Sequence, residues 1–448
     1  MPPLLQDLTE QLITAAQKAG ADAADAIAVN GTSVSIGVRN GDLETAERSE
    51  GIEIGVRVIL GQKQACVSAS DTSARAIADM AERAVIMAGH APDDPYIRQA
   101  DPGMFSTNTD ARFLDMYDPA PEPSADNLKD LAAQAEAAAL THQGISQVGS
   151  ATAGYGARHI HMMTSQGFSG GYARTDNALS CLAIAGTGLD MQRDYDGDYR
   201  VYHSDMRSAQ DIGNSAAERA LSMVGARKPP TGAYPVLFDE RVSSSLIAHL
   251  LGAANGAAVA RGGTWLRDAL GAQVLPKGLD LFETPHRPRV TGSKPFDGEG
   301  LPTAPRHIVK DGMLQGWTLD LSTAAQLGMT STASASRGTS SPPSPANGNM
   351  ALTQGPQSRD DLLRDMGTGL LLTSLMGSSI NATTGDYSRG ASGFWVENGE
   401  IQYPVQEGTI AGNLRDMLKT IVPANDARPH LSRVIPSMLV EGLTLAGA

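Results

Sequence analysis

Apolar positions Leu4, Leu5, Leu8, Leu12, Ala15 and Ala16 recur at helical spacing and stop at Gly20, which predicts an amphipathic helix over residues 3–19. The period then falls to two. Val34, Ile36 and Val38 alternate up to Asn40-Gly41, a strong hairpin signal, and Ile52, Ile54, Val56 and Val58 alternate up to Gly61, so these are antiparallel strands. Asp71 is placed to cap a second helix whose stripe is Ala74, Ile77, Ala81, Ala84, Val85 and Ala88. Residues 91–124, rich in Pro and Asp, read as an extended surface connection. Leu128, Leu131, Ala132, Ala135, Ala138 and Ala139 mark a third helix ending near Gly144. Residues 147–203 alternate again, with turns at 165–167 and near Gly186 and Gly188, and a fourth helix spans 209–224.

Lys228-Pro229-Pro230 is the best domain boundary, because proline stops a helix and an apolar strand begins at Tyr234. The expected domains are 1–228 and 229–448. The second contains one long helix over 240–258, then short apolar runs at 307–309, 370–375, 393–396 and 401–405. Residues 330–349 hold Ser, Thr, Pro and Gly with almost no large apolar side chain, and are expected to be a mobile insert. The fold class is α+β, an N-terminal antiparallel sheet with helices followed by a strand-rich domain.

Composition narrows the function. Aromatics are 4% of the chain and glycines number 48, so the core must be aliphatic and alanine-rich. A net charge of −14 with no basic run argues against holding nucleic acid or anionic lipid by bulk electrostatics. Two cysteines, Cys66 and Cys181, suit a reducing compartment and cannot build a disulfide framework or a cysteine-rich zinc site. The first residues lack the basic start and apolar stretch of a secretory leader, and the apolar-looking segment 245–260 is interrupted by His249 and Asn255. A cytoplasmic location is expected. The sequons at Asn30 and Asn381 then read as turn chemistry.

Most catalytic motifs fail on inspection. No His-Glu-x-x-His, no Cys-x-x-Cys and no phosphate-binding glycine loop occurs. His159 and His161 share one face of a strand, but no third ligand is near, so a polar strand face is the expectation. Asp194, Asp196 and Asp198, with Asp205 at the twelfth position, imitate a calcium loop. Tyr199 occupies the position that requires glycine, which leaves a solvated strand face. Gly167-Phe-Ser169-Gly-Gly171 fits the nucleophile-elbow pattern, yet strands follow where a helix is needed.

Residues 384–405, Thr384-Gly-Asp-Tyr-Ser-Arg-Gly-Ala-Ser-Gly-Phe-Trp-Val-Glu-Asn-Gly-Glu-Ile-Gln-Tyr-Pro-Val405, followed by Thr409-Ile-Ala-Gly-Asn-Leu-Arg-Asp416, resemble the C-terminal signature of the TldD/PmbA metallopeptidase family, in its PmbA (TldE) branch. Met191-Gln-Arg-Asp-Tyr195, Pro295-Phe-Asp-Gly-Glu-Gly300, Lys310-Asp-Gly312 and Met366-Gly-Thr-Gly-Leu370 agree in order, so the resemblance covers essentially the whole chain. It implies a barrel-like C-terminal domain and a two-part zinc peptidase. In such a system TldD-type subunits carry a His-Glu-x-x-x-His helix and a late cysteine, while PmbA-type subunits pair with them and lack the ligands. The equivalent stretch here is 247–252: Ile247 and Gly252 stand at the ligand positions and Ala248 at the base position. His249 is displaced by two residues, about 200° round the helix. No cysteine follows Cys181. A zinc hydrolase needs about three protein ligands and an open position, so this chain cannot assemble that set alone.

The resemblance therefore implies a noncatalytic subunit, with zinc in a TldD-type partner and unfolded or ribosomally made peptides as substrates. Peptides can add to a sheet edge through main-chain hydrogen bonds. His249, Gly385, Asp386, Tyr387, Ser388, Arg389 and Gly390 are the candidates for substrate or subunit contact; a tight barrel turn with a local ion pair is the plainer reading of 385–390. Two other functions compete: a homodimeric regulatory protein of the gyrase-modulator type, acting by protein contact without touching DNA, and a serine hydrolase using Ser169.

Overall fold

A computed structural model describes residues 4–447, with only the backbone at Leu189. Met1, Pro2 and Pro3, which begin the stretch read against a secretory leader and the predicted first helix, lie outside the described residues. Helix α1 (Leu5–Lys18) leads into strands β1 (Ala23–Arg39), β2 (Asp42–Leu60) and β3 (Lys63–Ala69), then α2 (Ala74–His90). After the long connection come α3 (Ala125–Leu140), β4 (Ile145–Thr164), β5 (Ser169–Ala185), β6 (Gln192–Arg200) and α4 (Ala209–Ser222). The six strands form one antiparallel sheet in the order β3-β2-β1-β4-β5-β6.

The helices cover one face of this sheet in two pairs. Leu8, Leu12 and Ala16 of α1 and Ile77, Met80 and Ala84 of α2 bury against Ala26, Ala28, Ile54, Val56 and Val58. Ala132, Ala135 and Ala139 of α3 and Ile212, Ala216 and Ala220 of α4 do the same over Val34, Ile36, Ala151 and Leu179. Small side chains let the second pair approach closely: a Cβ on Gly213 would fall 2.1 Å from the Ala135 carbonyl oxygen. The opposite face carries Ile27 and Met162, which pack against Phe168 and Phe296 and so join the sheet to the second domain.

That domain is built on a barrel. Strands β7 (Gly232–Phe238), β8 (Gly369–Ile380), β9 (Asp386–Glu397), β10 (Glu400–Asn413) and β11 (Met438–Ala446) run in the order β10-β9-β8-β7-β11, and β10 also pairs with β11. The pairing closes the sheet and removes its edges. Inside lie Val236, Phe238, Leu370, Leu372, Trp395, Ile410 and Leu443, together with Leu246, Ile247 and Leu250 of helix α5 (Glu240–Ala253). A second sheet of five short strands flanks the barrel. No helix among the described residues is long and apolar enough to cross a membrane.

Four local expectations change. Ser73, not Asp71, caps α2: its hydroxyl accepts from Ala76 N at 3.2 Å, while Asp71 accepts from Ser73 N. The predicted helix 240–258 is two helices, because Asn255 caps a separate α6 (Gly256–Ala260) by accepting from Ala257 N and donates to the Pro345 carbonyl. Asn30 sits in mid-strand β1, paired with Ile52 and His159, and only Asn381 makes an Asx turn, accepting from Thr383 N and Thr384 N.

The largest change concerns residues 330–349, expected to be mobile and instead clamped onto the N-terminal sheet. Its Arg337 side chain is 2% exposed and pairs with Asp25 of β1, which Arg57 of β2 also grips at 2.7 Å. Thr339 donates to Glu53 at 2.6 Å, and Gly55 leaves room for the Thr339 carbonyl, where a Cβ would fall 2.0 Å away. Polar anchors hold a segment that has almost no apolar ones.

The Pro295–Gly300 turn seats this clamp. The Asp297 carboxylate accepts from Glu299 N, Leu301 N and, in the clamped segment, Ala335 N. Glu299 accepts from Leu321 N, and burial, with Asp297 and Asp320 close by, pushes its carboxyl well above the ordinary 4.5. As pH rises past 4.5 the unfolded chain loses this proton before the folded one, so the site's stability is complete at lower pH and declines from there upward. Glu299→Gln removes that decline. Melting temperatures should show the variant gaining on the parent between pH 5 and pH 8; a constant offset across that range would contradict the assignment.

Candidate functional site

The sheet and the barrel leave a cleft of about 770 Å³ between them. One wall is Gln192, Arg193, Asp194 and Tyr195 of β6, the edge strand of the N-terminal sheet. The other is α5 with Thr373 to Met376 of β8 and Arg389 of β9. Asp239 starts α5 by accepting from Arg241 N at 3.2 Å.

Arg241 then crosses the cleft to Asp194, at 2.5 and 3.2 Å, and Gln192 donates to Gln406 at 2.9 Å. These contacts tie the two walls together. The aspartate run is thus not a solvated face. Asp196 and Asp198 are 3% and 4% exposed, held by Arg207 and Arg219 and by Arg200, whereas Tyr195 and Tyr199 point outward.

On α5, Val242 and Ser245 line the cleft and His249 follows one turn later on the same face, while Ile247 packs in the barrel core. The imidazole of His249 meets the ring of Tyr387 edge-on, with centroids 5.9 Å apart. The buried His249 Nε2 has no hydrogen-bond partner, and the buried Tyr387 Oη has no acceptor for its proton. Burial lowers the His249 pKa and Arg389 adds to the effect, so the ring is neutral. Burial raises the Tyr387 hydroxyl to about 12, against the opposing charge and side-chain hydrogen bond of Arg389.

Strand alternation sorts the other candidates. Tyr387 and Arg389 share the inward face of β9, and Ser388 lies on the other. Gly385, at φ +85°, makes the turn, with Asp386 exposed beyond it. Gly390 lets β8 approach, since a Cβ there would fall 3.2 Å from Met376. The expected local ion pair does not form: Asp386 accepts from Thr384 and Asn413, and Arg389 Nε donates to the Gly377 carbonyl at 2.8 Å.

This donor set does not fit a zinc ion. Ile247 and Gly252 carry no donor, Ala248 carries no base, and the one imidazole shares its site with a guanidinium whose charge opposes a cation. Among the described residues, no group of three or more His, Cys, Asp or Glu could hold a metal ion.

His159 and His161 lie elsewhere. Tyr117 packs on His159. Thr9 donates its proton to the Gln6 carbonyl, so His161 Nδ1 donates to Thr9 at 2.8 Å and Nε2 accepts from Ser169 at 3.3 Å. Ser169 opens strand β5 and pairs with Met163, so no strand-to-helix elbow forms around it. Sequence reasoning missed Arg193, Arg241 and Gln406. One signal existed for Arg241: a basic side chain in the first turn of a helix opposes the macrodipole and needs an acid partner.

Models of PmbA/TldA metallopeptidase domain 1, central domain and C-terminal domain match residues 24–88, 118–224 and 231–447. Metalloprotease PmbA of Escherichia coli O157:H7 is 38% identical over 446 residues, spanning 98% of this chain and 96% of its own. The chain belongs to the PmbA/TldD metallopeptidase family. A PmbA homolog of Haemophilus influenzae is 36% identical over 96% of this chain and 94% of its own. Solved structures share the PmbA/TldD fold at lower identity. A Bacteroides thetaiotaomicron chain named for DNA gyrase modulation has a TM-score of 0.91 at 24% identity, covering 99% of each chain. TldE of Thermococcus kodakarensis has 0.84 at 19%, covering 98% of this chain and all of its own.

The Asp194–Arg241 bridge predicts a measurable coupling. In a cycle of Asp194→Asn and Arg241→Gln, denaturant unfolding should give about 1–2 kcal/mol of interaction. Simple additivity would mean that the two walls are not joined there.

Proposed function

We propose that this chain is the noncatalytic PmbA/TldE-type subunit of a two-part cytoplasmic zinc peptidase that acts on unfolded or ribosomally made peptides, with the zinc in a TldD-type partner. One observation carries the reading. On the helix where the family's resemblance puts ligands and base, this chain has a core isoleucine, an alanine and a glycine, yet the helix still borders a cleft large enough for a peptide segment. A family member with a cleft and no metal donors is suited to holding substrate for chemistry supplied by another chain.

The edge strand β6 supports the same reading. Four consecutive residues, Gln192 to Tyr195, border the cleft, and an extended peptide can lie along such an edge by main-chain hydrogen bonds with little sequence preference. Closure of the barrel leaves β6 as the edge strand there; its Tyr195 amide donates to Asp194 and its Tyr195 carbonyl accepts from Arg219 and Arg241, contacts that a pairing peptide would displace.

Co-expression with a TldD-type chain tests the proposal. The purified chain alone should leave an unfolded peptide intact, and the mixture should elute as a larger species and degrade it. Cleavage by this chain alone, or a homodimer whose size ignores the partner, would contradict it; the second result would favour a regulatory protein acting by contact.

A further inference from the structure

The cleft is positive in a negative chain. Its lining holds Arg193, Arg241 and Arg389 against the single acid Asp194, which Arg241 already neutralises, while the chain as a whole carries −14. Among the described residues, neither Arg193 nor Arg389 forms an ion pair. Arg389 spends Nε on the Gly377 carbonyl and its guanidinium also bonds the Tyr387 hydroxyl, which leaves terminal N–H groups for another acceptor.

Beside it stand two buried polar groups. The Tyr387 side chain is 2% exposed and its hydroxyl, protonated across the physiological range, has no acceptor. His249 Nε2 is buried without a partner on the same side. Both atoms are sealed from solvent, so they act on a ligand only through Arg389, the one of the three that lines the cleft. Neither neighbour carries a negative charge, so the guanidinium presents its full charge to an oxyanion in the cleft. The planar fork of Arg389 suits a carboxylate.

The rest of the lining says what the carboxylate belongs to. Leu182, Ile184, Met191, Leu375 and Met376 make much of the cleft apolar, which does not suit a free inorganic anion. We propose that Arg389, with Tyr387 and His249 packed behind it, receives the C-terminal carboxylate of an extended peptide, whose body lies along the apolar cleft. The proposal rests on reading the cleft as a peptide site. It does not need the partner subunit, so its test can fail while the two-part peptidase stands.

Binding of a fluorescent peptide of about ten small and apolar residues to the full chain, without partner, should be compared for the free acid and the C-terminal amide. The free acid should bind at least tenfold tighter. Arg389→Gln should abolish the difference, and Arg389→Lys should restore part of it. Tyr387→Phe, which removes the hydroxyl that holds Arg389, should weaken the free acid several-fold while leaving binding of the amide unchanged; a merely structural tyrosine would move both alike. Equal binding of acid and amide, no binding of either, or acid preference surviving Arg389→Gln would each overturn the proposal.

Discussion

Asp25 is the pivot of the molecule. Burial alone would raise its carboxyl, but the charges of Arg337 and Arg57 outweigh that cost and hold it below the ordinary value. One arginine comes from the neighbouring strand and the other from more than three hundred residues away. An isolated buried carboxylate would be strongly destabilising, so the sheet keeps this residue only where the second domain delivers Arg337. The contact fixes how the barrel stands against the sheet. The Asp194–Arg241 bridge then sets the width of the opening on the side where β6 faces α5.

That arrangement gives a metallopeptidase-family chain a cleft whose lining does not fit a metal ion. The cleft depends on the two walls and not on an ion. Its polar character comes from arginines, glutamines, serines, a threonine and Asp194, and His249 and Tyr387 are buried behind Arg389. A cation would meet the charge of Arg389; an anion would meet donors. The same helix that would present ligands in a catalytic chain here gives its inward positions to the barrel core and its outward ones to the cleft.

Most elements of the fold were legible along the chain because local period and glycine stops specify them. The four N-terminal helices and the long hairpins follow from stripes such as Leu8, Leu12 and Ala16 and alternations such as Ile54, Val56 and Val58, each of which buries as its period requires. What could not be read was set by partners distant in sequence. Asp196 and Asp198 look solvated until Arg207, just before α4, and Arg219 on it are beside Asp196 and the strand's own Arg200 is beside Asp198. Residues 330–349 look mobile until Asp25 and Glu53 are beside them. The helix break at Asn255 needed the Pro345 carbonyl. In the site, alternation separates Tyr387 and Arg389 from Ser388, but only the folded barrel puts them next to His249, on a helix some 140 residues earlier.

The central claim is that this chain holds a ligand and not a metal. Native mass spectrometry of the purified full chain, incubated with excess zinc and then desalted, tests it most directly. The account predicts the mass of the bare polypeptide. Retention of one zinc ion per chain would contradict it.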